Sequence, residues 1–317
     1  MGAHPVNGLA GIVLPIFGIM ALGAVAVKLR VLNQGGVHGL VLFVFNFAIP
    51  ILLFRSLAVM ELPEDIRWSF LLSFYVGSFA VFGAGMVAGK VLFRRVLADQ
   101  AIFGMGAGFS NTVLMGIPIL FTAFGPDATL PTLLIIAFHG PLLMSLTVAI
   151  ILTGRGGGVS LGRMVRIIGM DLVRNPIIMG LLLGVAVNLG GLDLPGPLDT
   201  MAEMVGASAV PCALFALGAS LAGYPLIGDV HPALVLSFLK VVVHPVLVWI
   251  LAVPVLGLEG IWVPVTVIMA AMPSGINVYL FGARYDVAPG VAARTVLLST
   301  VASLVTIPVL LYLFSGA

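Results

Sequence analysis

Charge is what this chain has least of. Only 8% of its 317 residues are Asp, Glu, Lys or Arg, while 61% are hydrophobic and mean hydropathy is +1.24. Soluble domains carry about 25% charged residues. No water-soluble fold hides so much apolar surface, so the class is an all-α polytopic membrane protein in contact with the lipid bilayer. A net charge of +2, with no basic run interleaved with aromatics, excludes a nucleic-acid binder. The single cysteine, Cys212, excludes an intrachain disulfide. The 5 histidines are scattered and leave no Cys/His spacing for a metal. No Gly-x4-Gly-Lys-Ser/Thr loop is present to cradle ATP, so no cofactor is expected. The opening "MGAHPVNG" has no basic region, so the first apolar run reads as a retained span rather than a cleaved signal.

What is abundant is apolar sequence in windows of about 20 residues. Ten such spans are expected, near 8–27, 36–59, 68–92, 101–125, 130–153, 175–191, 200–223, 232–256, 261–283 and 290–314. Their connections are short. The longest, "GRGGGVSLGRMVRIIGMDLVRN" (154–175), opens on a glycine run and continues as a basic amphipathic stretch expected to lie along the membrane surface.

Loop charge orients the spans. Of the 14 basic residues, Lys28, Arg30, Lys90, Arg94, Arg95, Arg155, Arg163, Arg166, Arg174, Arg284 and Arg294 follow odd-numbered spans. Only Arg55, Arg67 and the intra-span Lys240 do not. Most acids, among them Glu61, Glu64, Asp65, Asp127, Asp193, Asp199, Glu203 and Glu259, fall on the other side. Basic loops stay cytoplasmic, so a cell (inner) membrane location with both termini extracytoplasmic is expected.

Five spans per half invert the second half relative to the first. Residues 1–153 form the first five-helix repeat, 154–174 a cytoplasmic linker and 175–317 the second repeat. "AIPILLF" (48–54) in span 2 matches "AVPCALF" (209–215) in span 7, pairing Pro50 with Pro211 and Phe54 with Phe215. Inverted repeats are an architecture of secondary transporters.

The fourth span of each half is interrupted. Span 4 contains "GFSNTVLMGIPIL" (108–120), with Ser110, Asn111, Thr112, Gly116 and Pro118. Span 9 contains "AAMPSGINVYLFGARYD" (270–286), with Pro273, Ser274, Gly275 and Asn277. Pro removes a backbone donor and clashes with the preceding turn, and Gly weakens a helix interior. Such backbone survives at membrane depth only where protein or water covers it, and paired breaks point to a carrier's binding site. The exposed helix starts attract an anion.

"SNTVLMGIPI" resembles the Asn-Thr…Gly-x-Pro signature of the auxin efflux carrier family, and "MPSGINVYLFGARY" resembles that family's Pro-rich break in span 9. The resemblance is strongest to bacterial members described as malonate transporters and extends over the whole chain in length, span count and charge pattern. It implies two inverted five-helix repeats with broken, crossing helices 4 and 9. Spans 1, 2, 6 and 7 would form a scaffold, through which a homodimer is expected, and spans 3–5 and 8–10 a transport domain that moves like an elevator. By motif position it implies Asn111, Pro118, Pro273 and Asn277 as substrate-site residues. The chain lacks the long central loop of the plant members, so auxin is not implied.

Other polar residues lie in the spans. Lys240 and His244 sit one turn apart in span 8 and read as charge-compensating groups, or, for Lys240, as a lysine reaching the cytoplasmic interface. His139 in span 5 is a titrating candidate or a packing residue. Asn46 in span 2 lines the substrate path or makes an interhelical hydrogen bond. Arg55 is expected to reach the outer interface, and Arg284 and Asp286 to form a solvated end.

The function these features support is secondary transport of a small organic anion, with no enzymatic activity. Two alternatives belong to other classes: an intramembrane serine hydrolase using Ser274 with a histidine, and a sensor built on a carrier fold. Apart from Glu203 near the outer end of span 7, no carboxylate lies within a span, which weakens a carboxylate-based proton relay; coupling to sodium through unwound carbonyls, to protons or to the membrane potential alone stays open.

Overall fold

The computed structural model describes residues 5–61, 65–156, 162, 166, 169–170, 173–223 and 228–314, with backbone only for 5–10. It is helical throughout, and among the described residues the only β feature is one isolated bridge between Ser110 and Ser274. Most of the basic amphipathic stretch expected after span 5 falls outside the described residues.

The elements are α1 (Pro5–Lys28), α2 (Gln34–Val59), α3 (Ser69–Val91), α4 (Leu97–Gly108), α5 (Ile117–Phe124) and α6 (Thr129–Gly154). They continue as α7 (Pro176–Leu189), α8 (Gly196–Leu221), α9 (His231–Val255), α10 (Trp262–Ala271), α11 (Asn277–Arg284) and α12 (Pro289–Phe314). Among the described residues, 7 helical stretches are long and apolar enough to cross a membrane, and Pro176–Leu189 and Trp262–Ala271 are shorter apolar helices. One of the seven is the 43-residue run Thr112–Gly154. At about 1.5 Å per residue it would be twice as long as the hydrocarbon is thick. Gly125, at φ 61°, ends α5 and redirects the chain into α6.

Proline shapes these helices in a repeated way. A π-turn at Val44–Ala48 precedes Pro50, one at Thr112–Gly116 precedes Pro118, and one at Leu239–Val243 precedes Pro245. In each case the carbonyl four residues before the proline lies inside the π-turn. The wider turn makes room for the ring that would otherwise collide with it.

Packing divides the helices into two sets. α1 packs on α8 and α2 on α7, whereas α3, α4, α6, α9, α10 and α12 pack mainly on one another. Within the first set, backbones come together at glycines. A Cβ on Gly218 would lie 1.8 Å from the Met20 carbonyl oxygen, and one on Gly184 would lie 2.5 Å from that of Phe54. Lipid tails are as apolar as Leu, so helix association there depends on such close approach.

Two expectations for charged residues change here. Arg55 does not reach out alone: its Nε is 2.6 Å from Asp199 and its Nη2 3.2 Å from Glu203. The partners sit on α8, and apolar windows in a sequence do not reveal which span lies alongside. Arg294, counted with the cytoplasmic basic residues although inside the expected span 290–314, lies buried within α12.

Candidate functional site

The site is built where the backbone cannot stay helical. α4 ends at Gly108, the chain is extended at Phe109 and turns tightly at Asn111; α10 ends at Ala271 and the chain leaves the helix at Met272. The two unwound segments satisfy each other. The Asn111 N–H donates to the Pro273 carbonyl at 2.8 Å, and the Gly275 N–H donates to the Phe109 carbonyl at 3.0 Å. Ser110 and Ser274 face each other between these bonds. Pro273 can serve here because only its carbonyl is needed. A Cβ at Gly275 would fall 2.7 Å from the Phe109 ring, so a larger residue at 275 would have to push that ring aside for the two segments to meet.

Neighbouring side chains absorb most of the remaining polar groups. The Ser274 hydroxyl donates to the Gly106 carbonyl at 2.6 Å, and the Ser274 N–H donates to Ser299 Oγ at 3.0 Å. The Ser110 N–H donates to His139 Nε2 at 2.9 Å, so His139 carries its proton on Nδ1. With its hydroxyl committed to a carbonyl and no histidine bonded to it, Ser274 is not arranged as an activated nucleophile. Three buried polar atoms at the crossing have no partner: Ser110 Oγ, Asn111 Nδ2 and His139 Nδ1. Buried polar groups are rarely left in that state, and each one is a place where a ligand or water is wanted.

A cavity of about 400 Å³ opens beside the crossing. Asn46 on α2 lines one side, Thr112 and Asn277 the other, and the exposed side chains of Arg174 and Arg284 also line it. At the start of α11 the N–H groups of Val278 and Tyr279 bond back to Gly275 and Ile276, so what the helix starts add next to this space is the positive end of their dipoles. A larger cavity of about 940 Å³ is lined by Arg55, Glu61, Asp65, Asp127 and Trp262, on the acid-rich side. It reaches neither unwound segment, so the smaller cavity is the better candidate for an anion.

The sequence candidates therefore fall into three groups. Asn46, Thr112 and Asn277 line the cavity. Ser110, Asn111, Pro273, Ser274 and Gly275 build the crossing beside it. Pro118 belongs to neither; it sits in the first turn of α5, buried, where it terminates the π-turn. Asn46 does make a hydrogen bond, but to Leu42 of its own helix at 2.8 Å rather than across helices.

Lys240, His244 and His139 are buried, with 0%, 0% and 1% exposure, and none lines the cavity. Lys240 thus does not extend to an interface. Its Nζ donates to the Ala270 carbonyl at 2.5 Å and lies 3.0 Å from His244 Nδ1. Arg174 and Arg284 were missed as site residues because in the sequence they are indistinguishable from ordinary loop cations. Ser299 carried no signal at all.

The chain matches the family described as "Membrane transport protein" over residues 10–311. It is 32% identical, over 98% of its own length and 97% of the relative's, to a protein of Rhizobium meliloti (strain 1021) described as "Putative malonate transporter". It is 27% identical, over 93% and 95%, to an "Uncharacterized transporter" of Methanothermobacter thermautotrophicus. A "Lysosomal cholesterol signaling protein" of Mus musculus is 25% identical over 66% of this chain but only 25% of that protein. Family, helices and composition agree: this is a multi-pass membrane protein of the auxin efflux carrier family, a transporter and not an enzyme.

Proposed function

We propose that the protein is a secondary carrier of a small organic anion, malonate or a similar carboxylate, bound beside the crossing of two interrupted helices. The observation that carries this reading is the cavity between α2 and the α5/α11 helix starts. It combines amides from both sides, Asn46 and Asn277, with Arg174 and Arg284, and among the described residues no carboxylate lines it. The name of the Rhizobium relative supplies malonate as the first substrate to try.

In this reading α4–α5 and α10–α11 are interrupted crossings, which with the other helices makes ten spans in two inverted halves, 1–153 and 175–317, joined by 154–174. The contacts of Phe54 and Phe215 support the symmetry. The Phe54 carbonyl is approached by Gly184 of α7, and the Phe215 carbonyl is approached by Gly23 of α1, at 2.1 Å from a built Cβ. The partition into a scaffold (α1, α2, α7, α8) and an elevator-like transport unit follows the two packing sets. The cavity lies between them, where relative motion would carry the anion. In this reading its arginines lie toward the cytoplasm, as the loop-charge rule suggests for an inner-membrane protein with extracytoplasmic termini. A homodimer would join through the scaffold helices.

The test is counterflow of labelled malonate into proteoliposomes loaded with unlabelled malonate. Wild-type protein is expected to accumulate label and Asn277→Ala to lose most of it. No accumulation for wild type removes malonate, and normal accumulation by the variant removes the site.

A further inference from the structure

Lys240 sits at membrane depth with no exposed surface, and among the described residues no Asp or Glu pairs with it. What it touches is a place that the chain break itself creates. In an unbroken helix the Ala270 carbonyl would accept from residue 274. Here the Ser274 N–H is turned away to Ser299 Oγ, and the next N–H, of Gly275, goes to Phe109. Pro273 has no N–H to offer the carbonyl before it. The Ala270 carbonyl at the C-terminal end of α10 therefore loses its helical donor and is left to Lys240, at the negative end of the helix dipole inside the protein. In carriers with discontinuous helices, such ends coordinate the coupling cation.

The hydrogen bonds around Lys240 fix its neighbours' protons. The Ser78 hydroxyl donates to the Phe74 carbonyl at 2.8 Å, so its oxygen must accept from His244 Nε2, 3.0 Å away. His244 Nε2 then carries the proton and Nδ1 presents a lone pair to Lys240 Nζ at 3.0 Å. The Lys240 amino nitrogen is held between that lone pair on α9 and the Ala270 carbonyl on α10. His139 sits nearby against the Phe74 ring, with its Nε2 taken by Ser110.

We infer that Lys240 is a resident cation: its ammonium occupies the position at the end of α10 where an alkali ion would otherwise bind, so the carrier needs no sodium. Lys240 is then a positioning residue, holding the break from which α11 starts, and the inference rests on the carrier reading above. His244 sets the angle of the ammonium and Ser78 sets the tautomer of His244.

The decisive experiment compares wild type, Lys240→Ala and Lys240→Gln, each checked for monodispersity. Malonate counterflow is measured in sodium and in choline media, and the thermal midpoint of the purified protein is measured with sodium chloride and with choline chloride. Wild type should give equal flux in both media, within twofold, and no sodium-specific midpoint shift. Lys240→Ala should lose at least tenfold in flux in choline, recover part of it with sodium or ammonium, and gain a sodium-specific rise in midpoint. Lys240→Gln, which keeps a donor for Ala270 without the charge, should lose flux likewise.

Sodium-dependent wild-type flux, a sodium-specific midpoint rise in wild type, or full flux in Lys240→Gln overturns the inference. If Lys240→Ala does not fold, Lys240→Gln and the wild-type sodium comparison decide. If wild type moves no malonate in any medium, the substrate assignment fails, while the midpoint measurements still decide whether Lys240 stands in for sodium.

Discussion

At the scale of single residues, the cavity separates amides that look alike in the sequence. Asn46 spends one amide hydrogen on its own helix, at the Leu42 carbonyl, whereas Asn277, the first residue of α11, lines the cavity with no such bond among the described residues. A hydrogen bond to a charged group is worth about 1.5–3 kcal/mol. Asn277→Ala should therefore lower malonate counterflow by roughly ten- to a hundredfold with little change in thermal midpoint, and Asn46→Ala should have a smaller effect, read as a rise in KM. Replacing Arg284 with Gln should weaken uptake chiefly at low ionic strength, because an exposed cation attracts an anion through a field that salt screens. Equal flux for Arg284→Gln and wild type at low salt would remove Arg284 from the anion's path. The polarity of Asn277 and Lys240 was plain from the sequence. Their partners were not: Ala270 becomes an acceptor only because Pro273, Ser274 and Gly275 withdraw three donors, and no spacing rule connects that to a lysine in another span.

At the scale of elements, hydropathy located the helices and proline located their weak points. It did not reveal what replaces the lost bonds. Each break could have been filled by water, but here the backbone of one fills the other, a long-range pairing outside the reach of local pattern. The π-turns before Pro50, Pro118 and Pro245 were equally hidden, since a proline at those places is compatible with a kink. The α1–α8 seam gives a sharp prediction. A Cβ at Gly218 would meet the Met20 backbone at 1.8 Å, whereas at Gly39 nothing lies within 4 Å. Overpacking a tight contact costs about 1–3 kcal/mol. Gly218→Val should lower the thermal midpoint by several degrees, and Gly39→Ala should leave it within a degree; equal shifts would mean that the seam is not tightly packed.

At the scale of the whole molecule, loop charge supplies an orientation that can be checked directly. In a Cys212→Ala background, Asp127→Cys should react with an impermeant maleimide on intact cells, while Lys90→Cys should react only after permeabilisation. The reverse pattern would place the Arg174 and Arg284 cavity on the outside. That the chain crosses a membrane several times was legible because the bilayer demands long apolar helices of any sequence. The division into two packing sets was not legible in composition, which does not differ between α1 and α3 in any way that marks their partners.

The mutual pairing of the two breaks also has a consequence for how the chain is made. Until the Pro273 carbonyl and the Gly275 N–H have been synthesised, the Asn111 N–H and the Phe109 carbonyl have no partner, and each such group in lipid costs several kcal/mol. A fragment ending at residue 153 should be inserted yet remain immature, and cellular proteases should clear it. Co-expression with 175–317 should rescue it, seen as recovery of both fragments in one complex. Maturation of this protein would then be a late event, completed only when the second half reaches the membrane and closes a bond that the first half has held open.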